Sequence, residues 1–187
     1  MSNKAVVTIP LRLRLHSIDT SPRSTKEMKI RPYQNSDQNS VIQLWGDCGL
    51  VAPQNNPIQD IKRKLEVNPE WFLVGLVNEK IIASCMVGYE GHRGWINYLA
   101  VSPKEQRKGF ATQLMGEAQN LLANAGCPKI NLQIRSSNMQ VIAFYESLGF
   151  KDDRVTSLGK RLEVDQPFEV DPDDRINSVT SLRSSTS

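Results

Sequence analysis

The stretch from Leu99 to Thr112 constrains this chain more than any other. It reads as the end of an apolar strand, a Ser102-Pro103 break, a loop carrying Lys104, Arg107 and Lys108, a single Gly109 and the start of a helix. Leu114, Met115, Ala118, Leu121 and Leu122 continue that helix with the spacing of one buried face. A glycine at a helix entry lets a ligand approach the backbone, and the first helical turn leaves amide N–H groups without intrahelical acceptors. With Arg107 and Lys108 beside those amides, the junction has the parts of an anion site, most simply one for phosphates.

Two familiar phosphate loops are excluded. A Walker A loop requires a lysine after its last glycine, and Phe110 follows Gly109; a dinucleotide fingerprint requires three spaced glycines where this loop has one. Other function classes fall to composition. A net charge of +3 over 187 residues gives no footprint for nucleic acid, and no apolar run approaches the roughly 18 residues of a membrane span. Cys48, Cys85 and Cys127 are odd in number and form no C-x-x-C pair, which argues against a disulfide framework or zinc site and for a reducing, cytoplasmic setting. With only His16 and His92 besides, no metal site is expected.

The chain divides into three parts. Residues 1–27 are Arg- and Ser-rich and poor in apolar periodicity, a composition shared by transit peptides, appended tails and misassigned starts. Residues 165–187 turn acidic and then Ser/Thr-rich, the signature of a disordered tail. Between them the pattern is regular. Lys29 to Tyr33 predicts a strand; Ser36 and Asp37 offer caps for a helix through Val41, Leu44, Trp45 and Cys48; Asn56-Pro57 opens a second helix. Trp71–Val77, Ile81–Tyr89 and Trp95–Val101 predict three strands, with Glu90 to Gly94 as a glycine-bounded loop. After the long helix, Gly126 and Pro128 mark a stop, Lys129–Ile134 alternates as a strand, and Asn138 caps a last helix ending at Gly149. Residues 150–155 and 156–164 are expected to pair as two closing strands.

Strand, two helices, three strands, helix, strand, helix, two strands is the element order of the GNAT acetyltransferases, and the motifs agree with it. Gln106 to Ala111 resembles the family's [RQ]-x-x-G-x-[GA] loop, and Asn138, Phe144-Tyr145 and Gly149-Phe150 resemble its second signature. The runs 88–94, 125–130 and 157–162 resemble a bacterial branch of the family whose chains begin near Met28. The resemblance covers about residues 28–164. It implies an α+β fold: a mixed, mostly antiparallel sheet splayed between its fourth and fifth strands, with helices on both faces.

The same resemblance implies transfer of an acetyl group from acetyl-CoA to a primary amine by direct attack in a ternary complex. The acceptor is a protein N-terminus, a lysine or a small-molecule amine, and neither it nor the oligomeric state is legible. Leu99, Ala100 and Val101 would pair through their backbone with the cofactor's pantetheine arm and offer an N–H to the thioester oxygen. Gln106, Arg107, Lys108, Gly109, Phe110, Ala111 and Thr112 would hold the pyrophosphate, and Asn138, otherwise an N-cap, would add a hydrogen bond. Tyr145, otherwise a core aromatic, would donate a proton to the departing thiolate; its reference pKa of about 10 keeps it protonated at neutral pH. For the base the fourth strand offers Asn97 and Tyr98 but no carboxylate, leaving Glu90, His92 or ordered water, of which Glu90 is taken as the candidate. The alternative function is a catalytically weak acyl-CoA-binding regulatory module of the same fold.

Overall fold

The protein, seen here in a computed structural model, is described over residues 27–168 apart from positions 53 and 167. The expected extension up to residue 26 and the tail beyond residue 168 lie outside the described residues. Five strands carry the fold: β1 (Lys29–Pro32), β2 (Phe72–Val77), β3 (Lys80–Tyr89), β4 (Gly94–Val101) and β5 (Ile130–Asn131), in the spatial order β1-β2-β3-β4-β5. The first four pair antiparallel and β5 lies parallel to β4. Helices α1 (Gln38–Asp47), α2 (Pro57–Leu65), α3 (Phe110–Asn124) and α4 (Met139–Ser147) complete it.

Every residue of β2 is buried, because the sheet is covered on both faces. Phe72, Val74 and Leu76 face a layer with Val41, Leu44 and Trp45 of α1 and Ile61 of α2. Leu73 and Val77 face the other layer, with Leu114, Met115, Ala118 and Leu122 of α3 and Tyr145 of α4. Burying a large apolar side chain fully contributes roughly 1.5–3 kcal/mol, whereas a mid-helix glycine costs about 1 kcal/mol. Val41 and Trp45, both wholly shielded, therefore carry α1 through Gly46.

Two caps behave differently. Asn56 caps α2 as its sequence implies, accepting from the amides of Ile58 and Gln59. Asp37 stands at the start of α1 but does not cap it with its side chain. Its carboxylate instead accepts from both Arg31 nitrogens, at 2.6 and 2.9 Å, and from the Gln34 amide, closing the short 3-10 turn before the helix. Arg31, two positions into β1, is the stronger partner because it offers a charged fork.

The last part of the chain departs from expectation. The strand expected over 129–134 pairs only at Ile130 and Asn131. Ile130, Leu132 and Ile134 still pack on the core, so their alternation reports burial rather than a ladder. The two closing strands are absent: residues 151–160 have no regular structure. Val155, Leu158, Leu162 and Val164 are 78–91% exposed, so no apolar face of this segment is covered to hold a hairpin in place. The segment is instead tethered by polar contacts: Arg161 to the Gln54 carbonyl and Asn55, and Asp165 to Arg63 at 2.5 Å and to the Asn56 amide.

Candidate functional site

The centre of β4 is irregular. Ser84 of β3 lies opposite Ala100 and Met86 opposite Asn97, so Cys85 alone spans Tyr98 and Leu99. The extra residue is a β-bulge, and Tyr98 takes up the slack with a φ of +51°, a left-handed conformation that side chains other than glycine seldom adopt. On the other side, β5 meets β4 only at Gly94 and Trp95. From Ile96 to Val101 the outer edge of β4 has no strand partner among the described residues, which is the splay expected between the fourth and fifth strands. Gly94 allows α3 to pack against the closed end: a Cβ there would lie 2.8 Å from Leu122 Cδ1 and 2.9 Å from Cys127 Sγ.

The open edge leads directly into the basic loop. Ser102 donates its amide to the Ile82 carbonyl, a 3-10 turn follows over Pro103–Glu105, and Arg107 and Gly109 both adopt positive φ, +64° and +84°. Gly109 is the residue before α3, and no atom lies within 4 Å of where its Cβ would be. The first intrahelical bond runs from the Gln113 amide to the Gly109 carbonyl, so the amides of Phe110, Ala111 and Thr112 have no helical acceptor. Phe110, only 3% exposed, anchors this turn in the core.

The loop side chains divide by task. Arg107 is exposed. Lys108 folds back on Glu105 at 2.7 Å and on the Lys104 carbonyl. Gln106, though exposed, reaches back, its Nε2 donating to the Val101 carbonyl at 3.0 Å, an acceptor that also takes the Cys48 thiol. Gln106 thus ties the loop to the end of β4.

Tyr145 lies in the layer beneath α3 and α4, 7% exposed, edge-to-face with Phe144 and Phe150. Burial, with the nearby Cys85 thiol adding to it, pushes its pKa well above the ordinary tyrosine value, so it stays protonated at neutral pH. Asn138 caps α4 through its Oδ1 to the Val141 amide. Glu90 sits at the β3–β4 hairpin, next to the Tyr89–Gly94 pair and four β4 positions from the bulge. Its carboxylate accepts from the amides of His92 (2.6 Å) and Arg93 (3.0 Å), which lower its pKa and make it a weak base.

A carboxylate nearer the bulge escaped the sequence reading. The Tyr98 hydroxyl donates to Asp60 Oδ2 of α2 at 2.6 Å, and burial, reinforced by that bond, raises the Tyr98 pKa. Asp60 also pairs with Arg63 and lines a cleft of about 410 Å³ with Asn55, Arg161, Glu163 and Asp165. Nothing local in the sequence links positions 60 and 98. The only signal is Asp60 and Arg63 on one face of α2, an ordinary solvated pattern. Among the described residues no group of three or more His, Cys, Asp or Glu is placed to hold a metal, and no helix is long and apolar enough to cross a membrane.

Comparisons with known proteins fit this geometry. The sequence profile described as the acetyltransferase (GNAT) family matches residues 37–150. A Yersinia pestis protein named acetyltransferase is 45% identical over 141 residues, 75% of this chain and all of the relative. Among solved structures, Ard1 from Thermoplasma volcanium superposes with a TM-score of 0.59 at 23% identity, covering 66% of this chain and 82% of its own. The aminoglycoside N-acetyltransferase AAC(6')-Iy, solved in complex with CoA, gives 0.59 at 19% identity, covering 72% and 95%. At these identities the two structures attest the fold alone.

Proposed function

Because this chain belongs to the GNAT family of acetyltransferases, we propose that it carries an acetyl group from acetyl-CoA to a primary amine within a ternary complex. The observation that carries this reading is the edge of β4, without a strand partner among the described residues, running straight into the start of α3, which has no side-chain cap. An extended pantetheine arm requires a free strand edge, and a pyrophosphate requires convergent amides with no side chain in the way. The open space at Gly109 fits the second requirement.

Acetyl-CoA would supply an activated acyl group, and the protein's part is to position and polarise. Leu99 to Val101 offer backbone groups to the arm, and an amide beside the bulge faces the charge that develops on the acyl oxygen. The amides of Phe110 to Thr112 and the Arg107 guanidinium receive the phosphates, with Asn138 bordering the arm. Tyr145, kept protonated by burial, donates toward the leaving sulfur. Asp60, the carboxylate nearest the bulge in the described contacts, draws the acceptor's ammonium group to the cleft. Ordered water takes the proton the ammonium must lose before its nitrogen attacks the thioester carbon, and the hairpin carboxylate of Glu90 is left to hold its own turn. This protein is then a cytoplasmic enzyme whose acceptor is a cationic amine, on a protein or a small molecule.

Thiol release from acetyl-CoA across a panel of peptide N-termini, lysine peptides and small amines tests the proposal. Turnover dependent on an amine is expected. Binding of CoA without turnover for any amine would favour the alternative of an acyl-CoA-binding regulatory module.

A further inference from the structure

The bulge at Tyr98 is held from one side by a chain of buried polar groups that the reaction as described does not use. Ser84 is wholly buried in the middle of β3, where its neighbours Ala83, Cys85 and Met86 are all core residues. A hydroxyl in such a place is costly unless it is hydrogen-bonded. Its Oγ accepts from the indole N–H of Trp45 at 2.8 Å and donates to the carbonyl of Tyr98 at 3.3 Å. Trp45, also wholly buried, stacks its ring on that of Tyr98 with centroids 4.1 Å apart. Three residues further on, Val101 has its carbonyl held by Cys48 and Gln106. Helix α1 therefore reaches both ends of the Leu99–Val101 edge, through Trp45 and Ser84 at one end and through Cys48, just past its last turn, at the other.

We propose that Ser84 and Trp45 are positioning residues for the acyl transfer: by holding the Tyr98 carbonyl they fix the direction in which the Leu99–Val101 backbone faces the open edge. This inference rests on the acetyl-transfer reading above. A residue with positive φ and a side chain is stable only where its surroundings over-determine it, and a bulged strand has lost part of the ladder that would do so. The Trp45–Ser84–Tyr98 chain supplies that constraint without contacting the reactants. The phosphate-binding amides sit on α3, anchored by the buried Phe110 and not by the Tyr98 carbonyl, so the brace governs alignment at the acyl carbon far more than affinity for the cofactor.

Ser84→Ala removes the hydroxyl and leaves the two groups it joined without their shared partner. For the folded variant, kcat at saturating acetyl-CoA is expected to fall tenfold or more, as small misplacements of catalytic groups do. CoA affinity by titration calorimetry stays within about threefold. Hydrogen exchange of the Leu99–Val101 amides accelerates while that of α3 does not, and Ser84→Thr, which keeps the hydroxyl, restores both readouts. Trp45→Phe keeps an aromatic ring in the core and removes the N–H together with the five-membered ring that carries it; it is the companion variant should Ser84→Ala not fold, with a several-fold loss of kcat expected. Unchanged kcat and exchange in a folded Ser84→Ala or Trp45→Phe protein would overturn the brace. So would parallel losses of kcat, CoA affinity and α3 protection, which describe general destabilisation. A wild-type protein inactive toward every amine would refute acetyl transfer itself, a result distinct from active wild type with an indifferent Ser84→Ala.

Discussion

Gly109 separates what the backbone needs from what the ligand needs, and a pair of substitutions measures each. Its φ of +84° disfavours any side chain, yet no atom lies within 4 Å of the position a Cβ would take. Gly109→Ala therefore meets no clash, and its cost to stability is the left-handed conformation alone, roughly 1–2 kcal/mol. At about 2–4 °C per kcal/mol for a chain of this size, the melting temperature should drop by roughly 2–8 °C. Gly109→Glu carries the same backbone cost and adds a carboxylate beside the amides of Phe110, Ala111 and Thr112, which it can occupy itself. A unit charge about 5 Å from a phosphate at an effective dielectric near 20 is repelled by about 3 kcal/mol, less as solvent enters. A tenfold loss of CoA affinity, about 1.4 kcal/mol, is thus the minimum expected from titration calorimetry. The loss should shrink in concentrated salt, and the two variants should melt alike. A folded Gly109→Glu protein that binds CoA as well as wild type would refute the assignment of the α3 start to the pyrophosphate.

Three further outcomes follow from named contacts. Tyr145→Phe keeps the ring packed against Phe144 and Phe150 and removes one oxygen; a proton donor predicts about a hundredfold loss of kcat with CoA affinity preserved, checked by single-turnover rates so that product release does not mask it. Asp60→Asn should raise the KM for a cationic acceptor about tenfold or more while leaving the KM for acetyl-CoA unchanged, measured by initial rates. Hydrogen bonds from Arg31 hold the Asp37 carboxyl below the usual range, so its contribution is complete above the unfolded value of about 3.9 and is lost as pH falls through the lower folded value. Denaturant titrations should show Asp37→Asn less stable by about 1–3 kcal/mol near neutrality, with the gap closing below about pH 4.

What the sequence made legible was local. The β4–loop–α3 junction could be read because a single glycine, a Ser-Pro break and one helical face lie within 24 residues of each other, from Leu99 to Leu122. Asn56-Pro57 named the start of α2 for the same reason: the cap and the amides it serves are two and three positions apart. The bulge was not legible, because it is a property of two strands in register, and nothing in Asn97-Tyr98-Leu99 marks an extra residue until β3 is laid against it. In sequence Ser84 is one small polar residue in an apolar run and Asp60 one carboxylate in a charged helix; only the fold brings each to Tyr98. Asp37 illustrates the opposite error, since a sound local motif lost its carboxylate to Arg31 six residues away. The closing strands expected over 150–155 and 156–164 are absent for a tertiary reason: Val155, Leu158, Leu162 and Val164 are all exposed, and no layer of the fold covers them.

The central claim is that the open edge of β4 and the start of α3 together receive acetyl-CoA. Hydrogen exchange of the full-length protein, with and without saturating acetyl-CoA, tests it segment by segment. Protection is expected at the amides of Leu99–Val101 and of Phe110–Thr112, with the α1 and β2 core unchanged. Protection confined to other segments, or none at saturation, would contradict the account.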